Sequence, residues 1–128
     1  IVKVPTGKQK IEVLHDLLIQ QEFKKVLIFG KTKWGVKSIH KELELRGFKV
    51  DSLHGNKTQS QRQKSLNLFK QDKVSILIAT DVAARGIDVN DITHVINYDI
   101  PATKEDYTHR IGRTGRANKT GVALTFVD

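Results

Sequence analysis

The stretch "KVLIFGKTKWGVKSIHKELELRGFKVDSLH" (residues 25–54) decides the fold of this chain. It opens with a continuous apolar run over 25–30, which predicts a strand buried on both faces. Apolar side chains then recur at helical spacing over 34–47, and Gly47 stands where a left-handed helix cap is expected. An alternating run over 48–54 predicts the next strand. Together these elements predict one βαβ unit of a parallel sheet.

The same alternation of strands and helices extends over the rest of the chain. Further strands are predicted over 74–79, 93–98 and 121–127, and further helices over 7–21, from Thr58 to about Gln71, and over 103–110. Thr58 begins the pattern Thr-x-x-Gln, a capping box that marks a helix start. The whole pattern predicts an α/β domain of the doubly wound type, with a mostly parallel sheet covered by helices on both faces.

The composition limits the class of protein. A chain of 128 residues is expected to form one domain with a core of its own. The absence of cysteine excludes disulfides and cysteine-ligated metals, and it fits a reducing compartment. Apolar runs are too short for a membrane span, so no membrane association is expected. Because the chain starts at Ile1 and contains no methionine, we expect further sequence upstream.

The net charge of +8 is concentrated in the first half of the chain. Residues 1–64 carry 14 basic and 6 acidic side chains, whereas residues 65–128 carry 8 of each. A basic half indicates a polyanionic partner such as nucleic acid, although a solubilising surface explains the charge equally well. The stripe of Lys33, Lys37 and Lys41 is more typical of a solvated helix face. Three aromatic side chains are expected in the core rather than against nucleic-acid bases: Trp34, Phe48 and Phe69.

Polar residues follow the predicted strands at the point where each strand ends. Four such clusters are present: Gly30-Lys31-Thr32, His54-Gly55-Asn56, Thr80-Asp81 and Tyr98-Asp99. The carboxyl ends of parallel strands share one edge of a sheet, where ligands bind, so we expect one groove to collect these clusters. The segment 80–91 must return to the opposite edge, and the helix over 103–110 is expected to run the same way. A second polar surface is therefore predicted there, with Asp88 near the arginines that follow this helix.

Those arginines belong to the octapeptide "HRIGRTGR" (109–116). Arginine is always charged and its planar fork matches phosphate oxygens, while the two glycines forfeit helix propensity. A plain basic helix end would not need those glycines. The chain contains no G-x-x-x-x-G-K-[ST] loop to cradle a phosphate. The octapeptide therefore predicts arginine fingers that act on a nucleotide held by another domain.

Two further stretches carry candidate binding residues. In "ATDVAARGID" (79–88), Thr80 and the small residues after it allow a phosphate backbone to approach closely. Asp88 fits a ribose contact and a solvated loop aspartate about equally well. Arg62 has the reach to contact phosphate, although ordinary surface charge explains it slightly better. Two histidines are expected to be structural, because no second metal ligand has suitable spacing: His54 and His109.

The motifs in their order resemble the C-terminal RecA-like domain of DEAD-box RNA helicases, in helicase superfamily 2. "VLIFGKT" (26–32) resembles motif IV, "HGNKTQSQRQ" (54–63) motif IVa, "ATDVAARGID" (79–88) motif V, "INYDIP" (96–101) motif Vb and "YTHRIGRTGR" (107–116) motif VI. The first six residues of the motif IVa stretch, "HGNKTQ", are similar to the bacterial RhlE-like branch. Thr108 stands where the family often has valine, which puts no major expectation in doubt.

The resemblance implies roles for individual residues. The family's contacts to the RNA sugar–phosphate backbone fall on Thr32, Gly55, Arg62 and Thr80. The family's ribose contact falls on Asp88, with Gly86 close by. Its arginine fingers, which reach the γ-phosphate, fall on Arg113 and Arg116. The residues that link its two domains fall on His109 and Arg110. No metal ligand is implied in this chain.

The resemblance also implies an overall function. Residues 1–128 would form the second RecA-like domain, and the first, which binds ATP with Mg²⁺, is absent from this chain. The whole protein would be a cytoplasmic RNA helicase that couples ATP hydrolysis to local unwinding of an RNA duplex, and the isolated domain would be inactive. A non-enzymatic RNA-binding adaptor and a DNA helicase or translocase are the alternatives. The intact arginine set argues against the adaptor, and the form of motif VI argues against DNA.

Overall fold

The computed structural model describes residues 2–5 (backbone only), 9–85, 87–100, 110 and 121–127. Several predictions lie outside these residues. They concern Gly86, His109, Arg113, Arg116 and the helix over 103–110, of which Arg110 is described and helical.

Within the described part of the chain, six strands form one sheet and three helices pack against it. The strands are β1 (Val2–Pro5), β2 (Val26–Phe29), β3 (Val50–Leu53), β4 (Ile76–Ala79), β5 (His94–Asn97) and β6 (Val122–Val127). The helices are α1 (Lys10–Leu18), α2 (Lys33–Leu45) and α3 (Gln59–Lys70). The strand order is β1-β6-β5-β2-β4-β3, and every neighbouring pair is parallel. The predicted α/β architecture with a parallel sheet is confirmed.

Helices cover both faces of the sheet, because successive apolar side chains along a strand point to opposite faces. In β2, Val26 and Ile28 face α1 and α2, whereas Leu27 and Phe29 face α3. All four of these side chains are buried. Each buried side chain of this size stabilises the fold by about 1.5–3 kcal/mol, so two-sided burial accounts for the uninterrupted apolar runs. The result is the predicted three-layer arrangement.

The helix ends follow the local signals in the sequence. Thr58 and Gln61 form the predicted capping box at the start of α3, each side chain accepting a hydrogen bond from the other residue's backbone N–H. Thr32 caps α2 in a similar way, since its Oγ1 accepts from the Gly35 N–H at 3.0 Å. Gly47 has a φ of +90°, the left-handed conformation expected after α2.

The segment between β4 and β5 crosses the sheet without a described helix. It leaves the carboxyl end of β4 at Thr80, and the Thr93 N–H donates to the Lys25 carbonyl at 2.8 Å, beside the amino end of β2. The segment is held by apolar side chains buried on the α3 face: Ala83, Ala84, Ile87, Val89 and Ile92. The predicted return of residues 80–91 to the opposite edge is confirmed.

Two features differ from the sequence predictions. The strand β1 was not predicted, because four residues ending in Pro5 are too short to show a pattern; its pairing with β6 depends on distant residues. Trp34 was predicted to be in the core, but its side chain is 66% exposed. The reason is helical phase: Val36 and Ile39 occupy the inward face of α2, and Trp34 falls outside it. Phe69 is buried as predicted, and Phe48 packs against the core. No helix among the described residues is long and apolar enough to cross a membrane.

Candidate nucleic-acid interface

The carboxyl ends of β3 and β4 form a groove of about 330 Å³. We call it the carboxyl-edge groove, and its lining residues are Lys33, His54, Gly55, Lys57, Arg62, Thr80, Val82 and Ala83. Three of the four predicted RNA contacts, Gly55, Arg62 and Thr80, therefore come together. They are supplied by the loop after β3, by α3 and by the turn after β4, which meet because β3 and β4 are parallel neighbours.

Arg62 joins two sides of the groove. Its Nη2 donates to the Ala83 carbonyl at 2.7 Å and so ties α3 to the turn after β4. Its Nη1 lies 3.5 Å from Gln59 Oε1, and among the described residues its buried Nε–H has no hydrogen-bond partner. Because these bonds leave donors of the guanidinium unused, the side chain is oriented and retains capacity for an anionic ligand.

Gly55 and Thr80 give the groove space and a hydroxyl group. A Cβ atom built on Gly55 would meet no atom of the described domain within 4 Å. Packing inside the domain therefore does not require glycine at this position. Thr80 continues the β3–β4 ladder by donating its N–H to the Leu53 carbonyl, and its hydroxyl keeps the capacity to donate to a phosphate oxygen.

Thr32, the fourth predicted RNA contact, lies beside the groove rather than in its lining. Its Oγ1 accepts from the Gly35 N–H at the start of α2, which leaves the hydroxyl proton for another acceptor. Next to it, Lys33 Nζ donates to Asn56 Oδ1 at 3.3 Å and so joins the start of α2 to the loop after β3.

Positive charge dominates the surroundings of the groove. His54 is buried, and burial is the main reason that its pKa is lowered. The nearby charges of Lys37, Lys57, His40 and Lys33 lower this pKa further. Its Nδ1 accepts from the Asn56 N–H at 3.3 Å, as a neutral imidazole can. The groove therefore carries the charge of Lys33, with Lys37 close by, beside a histidine that is kept neutral.

The carboxylate that approaches this region is already paired. Lys57 Nζ donates to Asp51 Oδ1 at 2.9 Å and to Ser65 Oγ at 2.9 Å. Burial by itself would raise the pKa of Asp51, but hydrogen bonds from Lys57, the Ser52 N–H and Ser65 outweigh it and hold that pKa below its usual value. Asp51 thus remains ionised and positions Lys57 without competing for an anionic ligand.

Arg110 is the one residue of the octapeptide that the structure describes, and its position corrects the prediction that this arginine lies on the side opposite the groove. Its Nε and Nη2 donate to both Asp81 carboxylate oxygens at 2.6 and 2.7 Å. Its Nη1 donates to Asn97 Oδ1 at 3.2 Å and to the Asp99 carbonyl at 2.7 Å. These acceptors stand at the carboxyl ends of β4 and β5, so Arg110 lies at the same edge as the groove.

Arg110 lies at this edge because polar groups there need a hydrogen-bond donor. Asn97 is fully buried, Arg110 is 1% exposed, and the guanidinium also stacks 5.0 Å from the Phe29 ring. A buried amide and a partly buried carboxylate must be paired, and the arginine fork satisfies both at once. Asp81 was not predicted as this partner, although an acidic residue directly after Thr80 at a strand end is a usable signal.

Other predicted site residues are not brought together by the described structure. Asp88 is an exposed residue between the buried residues Ile87 and Val89. Its ribose role stays a prediction, as do the roles of Gly86, Arg113, Arg116 and His109, which lie outside the described residues. Among the residues that are described, no group of three potential ligands could hold a metal ion.

The fold is a RecA-like α/β domain with a basic groove at its carboxyl edge. The chain belongs to the helicase conserved C-terminal domain family, whose model matches residues 9–118. It is similar to the ATP-dependent RNA helicase CshA of Listeria monocytogenes, with 49% identity over 120 residues. That match covers 94% of this chain and 23% of the relative, so the chain spans about a quarter of the length of that helicase.

Solved structures agree with this family and with the DEAD-box type. The RNA helicase Prp28 from Chaetomium thermophilum, bound to ADP, matches with a TM-score of 0.91 and 43% identity, over 98% of this chain and 32% of that one. Dbp5 of S. cerevisiae, bound to RNA and ADP BeF3, matches with a TM-score of 0.88 and 33% identity, over 98% and 34%. The predicted DEAD-box resemblance is confirmed, whereas its RhlE-like branch stays a prediction.

Proposed function

We propose that this chain is the second RecA-like domain of a cytoplasmic, ATP-dependent RNA helicase, and that the carboxyl-edge groove binds the RNA sugar–phosphate backbone. The observation that carries the proposal is the convergence of Gly55, Arg62 and Thr80 in one basic groove. Backbone recognition needs cationic groups, hydroxyl donors and close approach, which these residue types supply. The neighbouring Thr32 would extend the contact toward α2.

Close approach is the most informative of these properties. Since a methyl group at Gly55 would meet nothing in the described domain, the side chain that glycine lacks leaves space for a ligand. A phosphate backbone lying over this loop would fill that space, with Arg62 and Lys57 close enough to line the same groove. Such contacts carry little sequence information, so target choice would lie in other parts of the whole protein.

The nucleotide would be ATP with Mg²⁺, held by an ATP-binding domain of the whole protein, because this chain has no phosphate-binding loop. When bound, it would supply the phosphoryl group whose hydrolysis drives the cycle. The exposed Asp88 would supply the ribose contact, with Gly86 two residues before it in the sequence. Arg113 and Arg116 would act as arginine fingers that stabilise negative charge on the transferring phosphoryl group.

Domain closure would couple these two sites. His109 and Arg110 would link the two RecA-like domains, and Arg110 would do so as a positioning residue, since its guanidinium is held by Asp81, Asn97 and the Asp99 carbonyl. Asp81 follows Thr80 directly, so the arginine's anchor and the proposed RNA contact share one turn. Closure would bend one RNA strand and open a short duplex locally.

RNA-stimulated ATPase activity of the whole protein tests the proposal. Replacing Arg116→Ala is expected to lower turnover by about 10³-fold or more, as loss of an arginine finger does in related phosphoryl transfers. Arg46→Ala is the matched control, because Arg46 pairs with Glu12 on the surface at the far end of α2. The 128-residue chain alone is expected to show no turnover.

Each other result has a definite meaning. Robust RNA-dependent turnover in the Arg116→Ala protein would remove the finger assignment. No turnover in the unaltered whole protein would favour a non-enzymatic RNA-binding adaptor. Stimulation by DNA but not by RNA would favour a DNA translocase.

A further inference from the structure

Trp34 is an exposed aromatic residue within a basic surface, and nothing in the proposed function uses it. Its side chain is 66% exposed at the start of α2. Lys37 Nζ lies 4.9 Å from the centre of the indole ring and Lys33 Nζ lies 5.4 Å from it. A single exposed aromatic residue on a protein surface needs no explanation by itself. What distinguishes Trp34 is the position of these two lysines.

The two lysines connect the indole ring to the carboxyl-edge groove. Lys33 lines that groove. Lys37 lines an adjoining cavity of about 270 Å³, which shares His54 and Lys57 with the groove. The ring therefore lies at the rim of one continuous basic surface, within about 5 Å of ammonium groups on it.

We propose that the indole of Trp34 stacks on an unpaired base of the single-stranded RNA whose backbone occupies the carboxyl-edge groove. This inference rests on the proposed RNA-binding function and adds a base contact to it. Single-strand binding sites combine a basic track for the phosphates with an aromatic face for the bases. Here the ammonium groups of Lys33 and Lys37, which lie over the ring, supply the charge, and the exposed part of the ring supplies the aromatic face.

Charge complementarity favours this occupant over an apolar peptide. The cavity around Lys37 is also lined by Lys41 and Lys57, and Glu44 is its acidic lining residue. Glu44 lies 3.6 Å from His40 Nε2, on the same helix. A polyanion that carries flat aromatic groups matches both properties of the surface. Stacking is sequence-tolerant because every base has a π-face, so the contact adds affinity without imposing a sequence.

The chain offers a direct reporter, because Trp34 is its single tryptophan. Short single-stranded oligoadenylate is expected to quench the indole fluorescence of this chain as it binds. An abasic strand of the same length has the same phosphates but no bases to stack. It is expected to bind more weakly and to leave the fluorescence nearly unchanged.

Affinity measurements separate stacking from charge. Trp34→Ala is expected to weaken oligoadenylate binding about tenfold and to leave abasic-strand binding unchanged, while Trp34→Phe keeps much of the affinity. The dependence of binding on salt should stay the same in Trp34→Ala. By contrast, Lys37→Ala should lower the slope of log K against log salt by about 0.7, as expected for one lost phosphate contact on a single strand.

The outcomes separate this inference from the function on which it rests. Equal binding of oligoadenylate by Trp34→Ala and the unaltered chain, with Arg62→Ala still weakened, would overturn the stacking contact and leave the RNA groove in place. Equal quenching by the abasic strand would also overturn it. Unchanged binding in both Trp34→Ala and Arg62→Ala would instead count against the proposed groove. Because Trp34 is exposed, its variants should melt at the same temperature as the unaltered chain, which thermal unfolding checks.

Discussion

Replacing Arg110→Ala should destabilise this domain more than any surface arginine variant. The guanidinium makes four hydrogen bonds: two to Asp81, one to Asn97 and one to the Asp99 carbonyl. Alanine would leave Asn97 Oδ1 fully buried without this donor and would leave the Asp81 carboxylate without its partner. The arginine therefore holds the ends of β4 and β5 together at the edge that carries the groove.

The magnitude follows from the burial of both partners. Removing one partner of a buried ion pair costs about 3–5 kcal/mol. The Asp81 side chain is 25% exposed and regains some hydration, so the lower end, about 3 kcal/mol, is expected. With an unfolding entropy of about 2.1 cal/mol/K per residue, a chain of 128 residues should lose about 11 °C in melting temperature.

Thermal and urea unfolding, followed by far-ultraviolet circular dichroism, measure this loss. Arg46→Ala is the control, since it removes an exposed pair with Glu12 and should cost no more than about 1 kcal/mol. Arg110→Lys should fall between the two, because an ammonium group cannot reproduce the planar fork that meets both Asp81 oxygens. If Arg110→Ala melts as high as Arg46→Ala, the interpretation of Arg110 as a buried anchor is wrong.

Two further predictions concern the groove. Gly55→Ala should leave the melting temperature unchanged, because its methyl group meets nothing within 4 Å. The same variant should weaken RNA binding severalfold in a titration. Equal loss of stability and binding would contradict the assignment of that space to a ligand. His54 has a pKa below its ordinary 6.5, so its contribution to stability is present above pH 6.5 and is lost as pH falls through the lowered pKa. As the pH falls through this range, the melting temperature should decrease less for His54→Asn than for the unaltered chain. RNA affinity should also increase less at low pH in His54 variants. The same pH dependence in variant and unaltered chain would refute the role of His54.

Local signals in the sequence were sufficient for most of the architecture. Apolar runs identified β2 and β4, because strands covered on both faces carry apolar side chains toward both layers. The capping box at Thr58 and the glycine after α2 marked helix ends through contacts made within a few residues. Parallel pairing then placed the loops after the strands at one edge, which is why Gly55 and Thr80 were predicted to share a site.

Tertiary structure decided the features that depend on distant residues. β1 exists because β6 offers it an edge, and Trp34 is exposed because the sheet covers the opposite face of α2. Arg110 lies at the carboxyl edge because Asp81, 29 residues earlier, and Asn97, 13 residues earlier, both need a donor. The sequence by itself determined the strands β2 to β6, the helices α1 to α3 and the edge that carries the groove. Only the tertiary structure determined which charges meet there, since the pairing of buried polar groups depends on three-dimensional proximity rather than on sequence spacing.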